Sequence, residues 1–118
     1  MKGNQGNPDC LIGQGVAFEG SLAADGILRI EGRCAGKVAS KTTVIVVEGA
    51  RVDAKIQAED VIVAGMVHGS IVAKRSLKLC STARVRGDMM AGKFHMEDGA
   101  RLWGRVDRYG IIPQGDSN

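Results

Sequence analysis

The stretch Ala83-Arg-Val-Arg-Gly-Asp-Met89 decides the fold, because small or aliphatic residues alternate in it with polar ones. A period of two places successive side chains on opposite faces of a β-strand. The nonpolar residues at every second position are therefore predicted to point inward, and the charged residues between them to point to solvent. Helical spacing is absent from this stretch and from the similar stretches around it.

The same unit, small-x-aliphatic-x-small-x-aliphatic, recurs through most of the chain. Full copies start at Gly32, Ala50, Gly65, Ala83 and Ala100, and a partial copy reads Val16-Phe18-Gly20-Leu22. The third positions, from Gly20 to Gly104, are separated by 16, 18, 15, 18 and 17 residues. A second aliphatic pair precedes each full copy. These pairs are Leu28/Ile30, Val44/Val46, Val61/Val63, Leu77/Leu79 and Phe94/Met96.

The unequal intervals arise from two-residue insertions at one corner of the repeat. Glu48-Gly49, Ser81-Thr82 and Asp98-Gly99 stand between the aliphatic pair and the unit in the three longer copies. No single turn of 15–18 residues can bury its own inner face, so successive turns must stack. The sequence predicts an all-β fold, a parallel β-helix (β-solenoid) of about six turns. We expect this domain at residues 11–107, with short tails at 1–10 and 108–118.

Composition limits the function classes. The chain has 118 residues, 17 of them glycine, and four aromatic residues, which suits one domain with evenly spaced corners. A net charge of +3 gives no reason to expect nucleic-acid binding. No apolar run approaches the about 18 residues of a membrane-spanning helix, and the first fifteen residues lack a secretory core. These features predict a soluble cytoplasmic protein, with membrane contact at most peripheral.

The largest apolar side chains fall in the first and last turns of the predicted rod. We interpret the two ends as interfaces through which copies join end to end, since an uncapped solenoid exposes its core and unpaired backbone there. The N-terminal candidates are Leu11, Ile12, Val16, Phe18 and Leu22. The C-terminal candidates are Phe94, Met96, Leu102, Trp103 and Val106. The alternative is that both tails fold back as irregular caps on a monomer.

The chain resembles the bactofilins, a family of bacterial cytoskeletal proteins. The resemblance rests on Leu11–Gly20, Leu28–Arg33, Val61–Ile71 and Ala83–Met89, in that order and in one register. It implies a right-handed β-helix that polymerises without nucleotide into filaments lacking polarity, by head-to-head and tail-to-tail contacts. It also implies scaffold roles in cell shape, cell-wall synthesis or polar organisation, with recruited cell-wall enzymes as partners. The polar start, Met1–Asn7, argues against membrane attachment through the N terminus.

Stacking the turns aligns outward residues in columns. One column is predicted to read Arg33, Arg51, Met66, Arg84 and Arg101. Its four arginines form a candidate face for an anionic lipid, wall polymer or acidic partner. The alternative is a solvated face that discourages lateral aggregation.

Other chemistry has weaker support in the sequence. His68 and His95 lie one and a half turns apart and are not expected to stack, and Cys34 takes an inward position as a small core residue. No role is assigned to Cys10 or Cys80. We expect no enzyme, cofactor or metal, because no phosphate-binding loop or metal-ligand spacing is present. A hexapeptide-repeat acyltransferase is one alternative, but the six-residue period that it needs does not emerge. A solenoid adaptor that does not polymerise is the other.

Overall fold

The computed structural model describes residues 10–108, so the predicted tails lie outside the described residues except for Cys10 and Arg108. The described chain forms twelve β-strands. They are β1 (Cys10–Ile12), β2 (Ala17–Ala24), β3 (Leu28–Ile30), β4 (Arg33–Ser40), β5 (Thr43–Val46), β6 (Arg51–Val63), β7 (Met66–His68), β8 (Ile71–Leu79), β9 (Arg84–Arg86), β10 (Met89–Met96), β11 (Arg101–Trp103) and β12 (Val106–Arg108). All of their pairings are parallel.

The strands form six turns with three faces, so the predicted β-solenoid is confirmed. Face 1 stacks β1, β3, β5 and the C-terminal parts of β6, β8 and β10. Face 2 stacks the first residues of β2, β4 and β6 with β7, β9 and β11. Face 3 stacks the remaining parts of β2, β4, β6, β8 and β10 with β12. The right-handedness implied by the resemblance stays a prediction.

The core is the column of inward side chains from the three faces. The aliphatic pairs of the second to fifth turns are fully buried, as the period-two pattern predicts. Cys34 is buried on face 2 beside Val52, which confirms its predicted core position. Burial raises the pKa of the Cys34 thiol, and the nearby Cys10 adds to that shift. The thiol at Cys34 therefore stays protonated and unreactive at neutral pH.

In the fifth turn, the corner between face 2 and face 3 needs glycine for a backbone reason. Gly87 has a φ of 138°, which side chains rarely adopt. A Cβ at Gly87 would collide with the carbonyl oxygen of Gly69, one turn below, and would lie 2.7 Å from its carbonyl carbon. Gly49, in an inserted corner between face 1 and face 2, has a φ of 91° but open space around it. The first corner is thus restricted by both conformation and packing, and the second by conformation alone.

An ion pair fixes the corner between face 3 and face 1 where β8 carries an extra residue relative to β6. The register shifts between Ala58 and Asp60 at this point. Arg75 donates two hydrogen bonds to the Asp60 carboxylate, the one from Nε being 2.9 Å long, and Ser76 Oγ donates another of 2.7 Å. The hydrogen bonds from Arg75 are the main reason that the pKa of Asp60 lies below its ordinary value.

Candidate functional site: the rod ends and an arginine-lined face

The C-terminal end of the rod exposes side chains that continue the core. Phe94 stacks on Leu77, but Phe94 is 39% exposed and Leu77 is 1% exposed. Val106 stacks on Met89, with exposures of 37% and 2%. Met96 and Leu102 occupy the matching positions above Leu79 and Val85. The same positions change from buried to exposed because no further turn of the described chain covers them.

The backbone of the last turn is also open. Residues 93–96 of β10, together with β11 and β12, pair with strands on one side only within the described residues. An edge of this kind presents unpaired N–H and C=O groups, which can pair with another chain. The C-terminal end therefore combines exposed apolar surface with free hydrogen-bonding groups, the two features that strand-mediated association requires.

Trp103 differs from the other C-terminal candidates because its side chain lies outward on face 2. The structure places its ring 5.5 Å from the Arg86 guanidinium, which stacks over it in a cation–π contact. Sequence reasoning missed this contact. The signal was present, since Arg86 and Trp103 occupy one column on adjacent strands.

At the N-terminal end the inward side chains are better covered than at the C-terminal end. Phe18 and Leu22 take inward positions in the first turn and are half-buried, while Ile12 is buried. Leu11 lies outward on face 1 and is 55% exposed. Val16 is exposed at a corner. Both ends thus expose apolar side chains, from inward positions at the C-terminal end and mainly from Leu11 and Val16 at the N-terminal end.

The arginine column is placed as the repeat predicts. Arg33, Arg51, Met66, Arg84 and Arg101 follow one another in register along face 2, and all five are exposed. Arg51 lies 3.5 Å from the Asp53 carboxylate. The other three arginines make no ion pair within residues 10–108. Face 2 therefore carries positive charge that the described chain does not neutralise.

The histidines and cysteines form no reactive group in the described part of the chain. His68 lies on face 2, 3.6 Å from Asp53, and His95 lies on face 1 beside Lys78, so the two do not stack. Cys10 and Cys80 are partly buried. No group of three or more metal-ligating side chains occurs among residues 10–108. The described residues also contain no helix long and apolar enough to span a membrane.

Comparison with known proteins gives one consistent result. The family model described as bactofilin, polymer-forming cytoskeletal, matches residues 10–107. The chain is 35% identical over 97 residues to Bactofilin BacO of Myxococcus xanthus (strain DK1622), covering 82% of this chain and 77% of that protein. It is 33% identical over 103 residues to Bactofilin BacP of the same organism, covering 87% of this chain and 43% of that protein. No solved structure matches.

Proposed function

This chain belongs to the bactofilin family of polymer-forming cytoskeletal proteins, and from that premise we propose that it assembles end to end, without nucleotide, into filaments. The observation that carries the proposal is the exposure of Phe94, Met96 and Val106 in positions that are buried one turn earlier. Covering these side chains with another copy would give them the environment that their column has elsewhere in the rod.

We propose further that each end contacts the equivalent end of another copy, head to head and tail to tail, so that the filament has no polarity. In such an isologous contact each end packs against the same surface of another copy. A second copy that is rotated by a two-fold axis perpendicular to the rod faces the first with the same end. Its strands then run around the rod axis in the opposite direction. Facing strands would then pair antiparallel, the pairing that is slightly more stable per residue.

The proposed cellular role is a scaffold for cell shape, cell-wall synthesis or polar organisation. Within the described residues, the solenoid has three flat faces and two ends, a geometry that suits assembly and docking. Such a scaffold would lie in the cytoplasm and reach the inner face of the membrane through the proteins that it recruits. Membership of a cytoskeletal family argues against the acyltransferase alternative. A polymer-forming family implies self-association, which argues against an adaptor that does not polymerise.

Negative-stain electron microscopy of Phe94→Arg tests the proposal. A charge at a half-exposed site on the C-terminal end would have to be buried against its own copy, so long filaments should be lost. Met66→Arg is the matched control, since Met66 is 42% exposed but lies outward in the middle of face 2. Filaments of wild-type length from Phe94→Arg would overturn the proposal. Loss of filaments in both variants would do the same, because it would move the contact away from the ends.

A further inference from the structure

A groove of about 960 Å³ runs along the corner between face 1 and face 2. Its lining residues come from all six turns, from Gln14 in the first to Gly99 in the sixth. Five intervals of about 4.8 Å make it roughly 24 Å long, which is the length of about seven residues of extended chain at about 3.3 Å each. The groove therefore has the length and the narrow form that suit an extended segment.

The two walls of the groove come from different parts of the repeat. The exposed corner insertions, Glu48-Gly49 and Ser81-Thr82, form one wall. The second and fourth turns have no insertion, and their corner residues Gly32 and Gly65 are buried and form the floor. Four residues of the arginine column line the opposite wall: Arg33, Arg51, Met66 and Arg84. The irregular turn lengths of the sequence thus have a structural consequence, since they create a recess beside the arginines.

The charges along the arginine wall favour an acidic occupant. Arg33 stands directly beside Arg51 on the neighbouring strand. Like charges opposed across neighbouring strands are destabilising. Arg84 and Arg33 have no acidic partner within residues 10–108, and Arg51 lies 3.5 Å from Asp53. Glu31, which also lines the groove, is already bonded to Arg29 at 2.6 Å. Carboxylates lying along this wall would relieve the repulsion and would match the fork of the guanidinium groups.

We propose that this groove binds an extended acidic segment, about seven residues long, of a partner protein. Its carboxylates would pair with Arg33, Arg51 and Arg84, and a nonpolar side chain would lie over Met66, which is exposed between them. A flat anionic membrane fits less well, because the lining residues follow a narrow recess across all six turns, a form that suits an extended chain rather than a planar surface. This inference goes beyond the proposed polymerisation and does not depend on it. A filament would repeat the groove along its length.

The test uses an array of eight-residue peptides that contain three or four Asp or Glu residues and one nonpolar residue at varied positions. Fluorescence anisotropy then measures binding of the retained peptides to the full chain. In Arg33→Glu/Arg51→Glu, the dissociation constant should rise about tenfold or more, because two attractive charges become repulsive. Lys37→Glu/Lys55→Glu is the matched control. Lys37 and Lys55 are an exposed stacked pair on the same two strands, β4 and β6, but lie on face 3.

The two double variants have the same net charge. A difference in peptide affinity between them therefore reports binding at the groove and not a general attraction of acidic peptides to a basic protein. Equal weakening in both variants would overturn the proposal, and so would an array from which wild type retains no peptide. The third contrary result is arginine-dependent binding of phosphatidylglycerol vesicles or of an eight-residue oligothymidylate in place of the peptides. Both variants should still form filaments, since neither pair is at an end. Loss of filaments in Arg33→Glu/Arg51→Glu alone would assign the arginines to the polymer contact and reject the docking site.

Discussion

Truncating Phe94 should weaken self-association as well as folding, because part of the side chain is buried in the single molecule and the rest is exposed at its end. Burying a phenylalanine side chain fully contributes about 1.5–3 kcal/mol, and 39% of Phe94 is still exposed in the single molecule. About 1 kcal/mol is therefore available for the contact between copies. A symmetric contact contains two copies of Phe94, so Phe94→Ala should remove about 2 kcal/mol, or about thirtyfold in the association constant. A head-to-tail contact contains one, and should lose only about fivefold.

Sedimentation velocity over a dilution series measures this association constant, and two variants serve as controls. Leu77→Ala, one turn below Phe94, should cost about 2–5 kcal/mol of folding free energy in urea titration and leave the end contact nearly unchanged while the protein remains folded. Met66→Ala removes a side chain of similar exposure away from the ends, and should leave the association constant nearly unchanged. An association constant for Phe94→Ala equal to that of wild type would refute the reasoning.

Further predictions concern the described fold and its titrating groups. Gly87→Ala should lower the free energy of unfolding by about 3 kcal/mol or more, because strain and a backbone collision combine, whereas Gly49→Ala should cost about 1 kcal/mol; equal costs in urea titration would contradict this. The folded-state pKa of Asp60 is lowered, so its stabilisation is present above pH 3.8 and is lost as the pH falls below that value. Asp60→Asn should therefore flatten the acid side of the stability profile, and an unchanged profile would contradict the assignment. In native protein, Cys34 should react with Ellman's reagent more slowly than Cys80; equal rates would contradict its burial.

Much of the fold could be predicted from the sequence because the repeat is strict where packing is tight. The alternation around Val61 and Val63 specifies which side chains point inward, and the structure buries both. The arginine column followed from the same register, since a parallel stack places equivalent positions above one another. The three corner insertions could also be predicted, because the copies that contain them close the longer intervals of 17 or 18 residues between repeats.

Other features depend on three-dimensional relations that spacing does not contain. The groove beside the arginines arises because corners with and without the two-residue insertion alternate along the rod. Predicting it would require knowing how far each corner projects from the faces, and the sequence spacing does not contain that distance. The burial of Ile12 at the edge of the first turn was not expected from its place at the start of the repeat. The bidentate pair of Arg75 with Asp60 depends on an extra residue in β8, and sequence spacing does not show which turn accommodates it.

The central claim is that the exposed last turn of one copy is buried by another copy. Electron cryomicroscopy of filaments grown from wild-type protein without nucleotide tests it most directly. We predict that the rod axis runs along the filament, with Phe94 and Val106 of one molecule packed against the same residues of the next. Filaments in which these side chains stay exposed to solvent, with contacts made through the three faces, would contradict the claim.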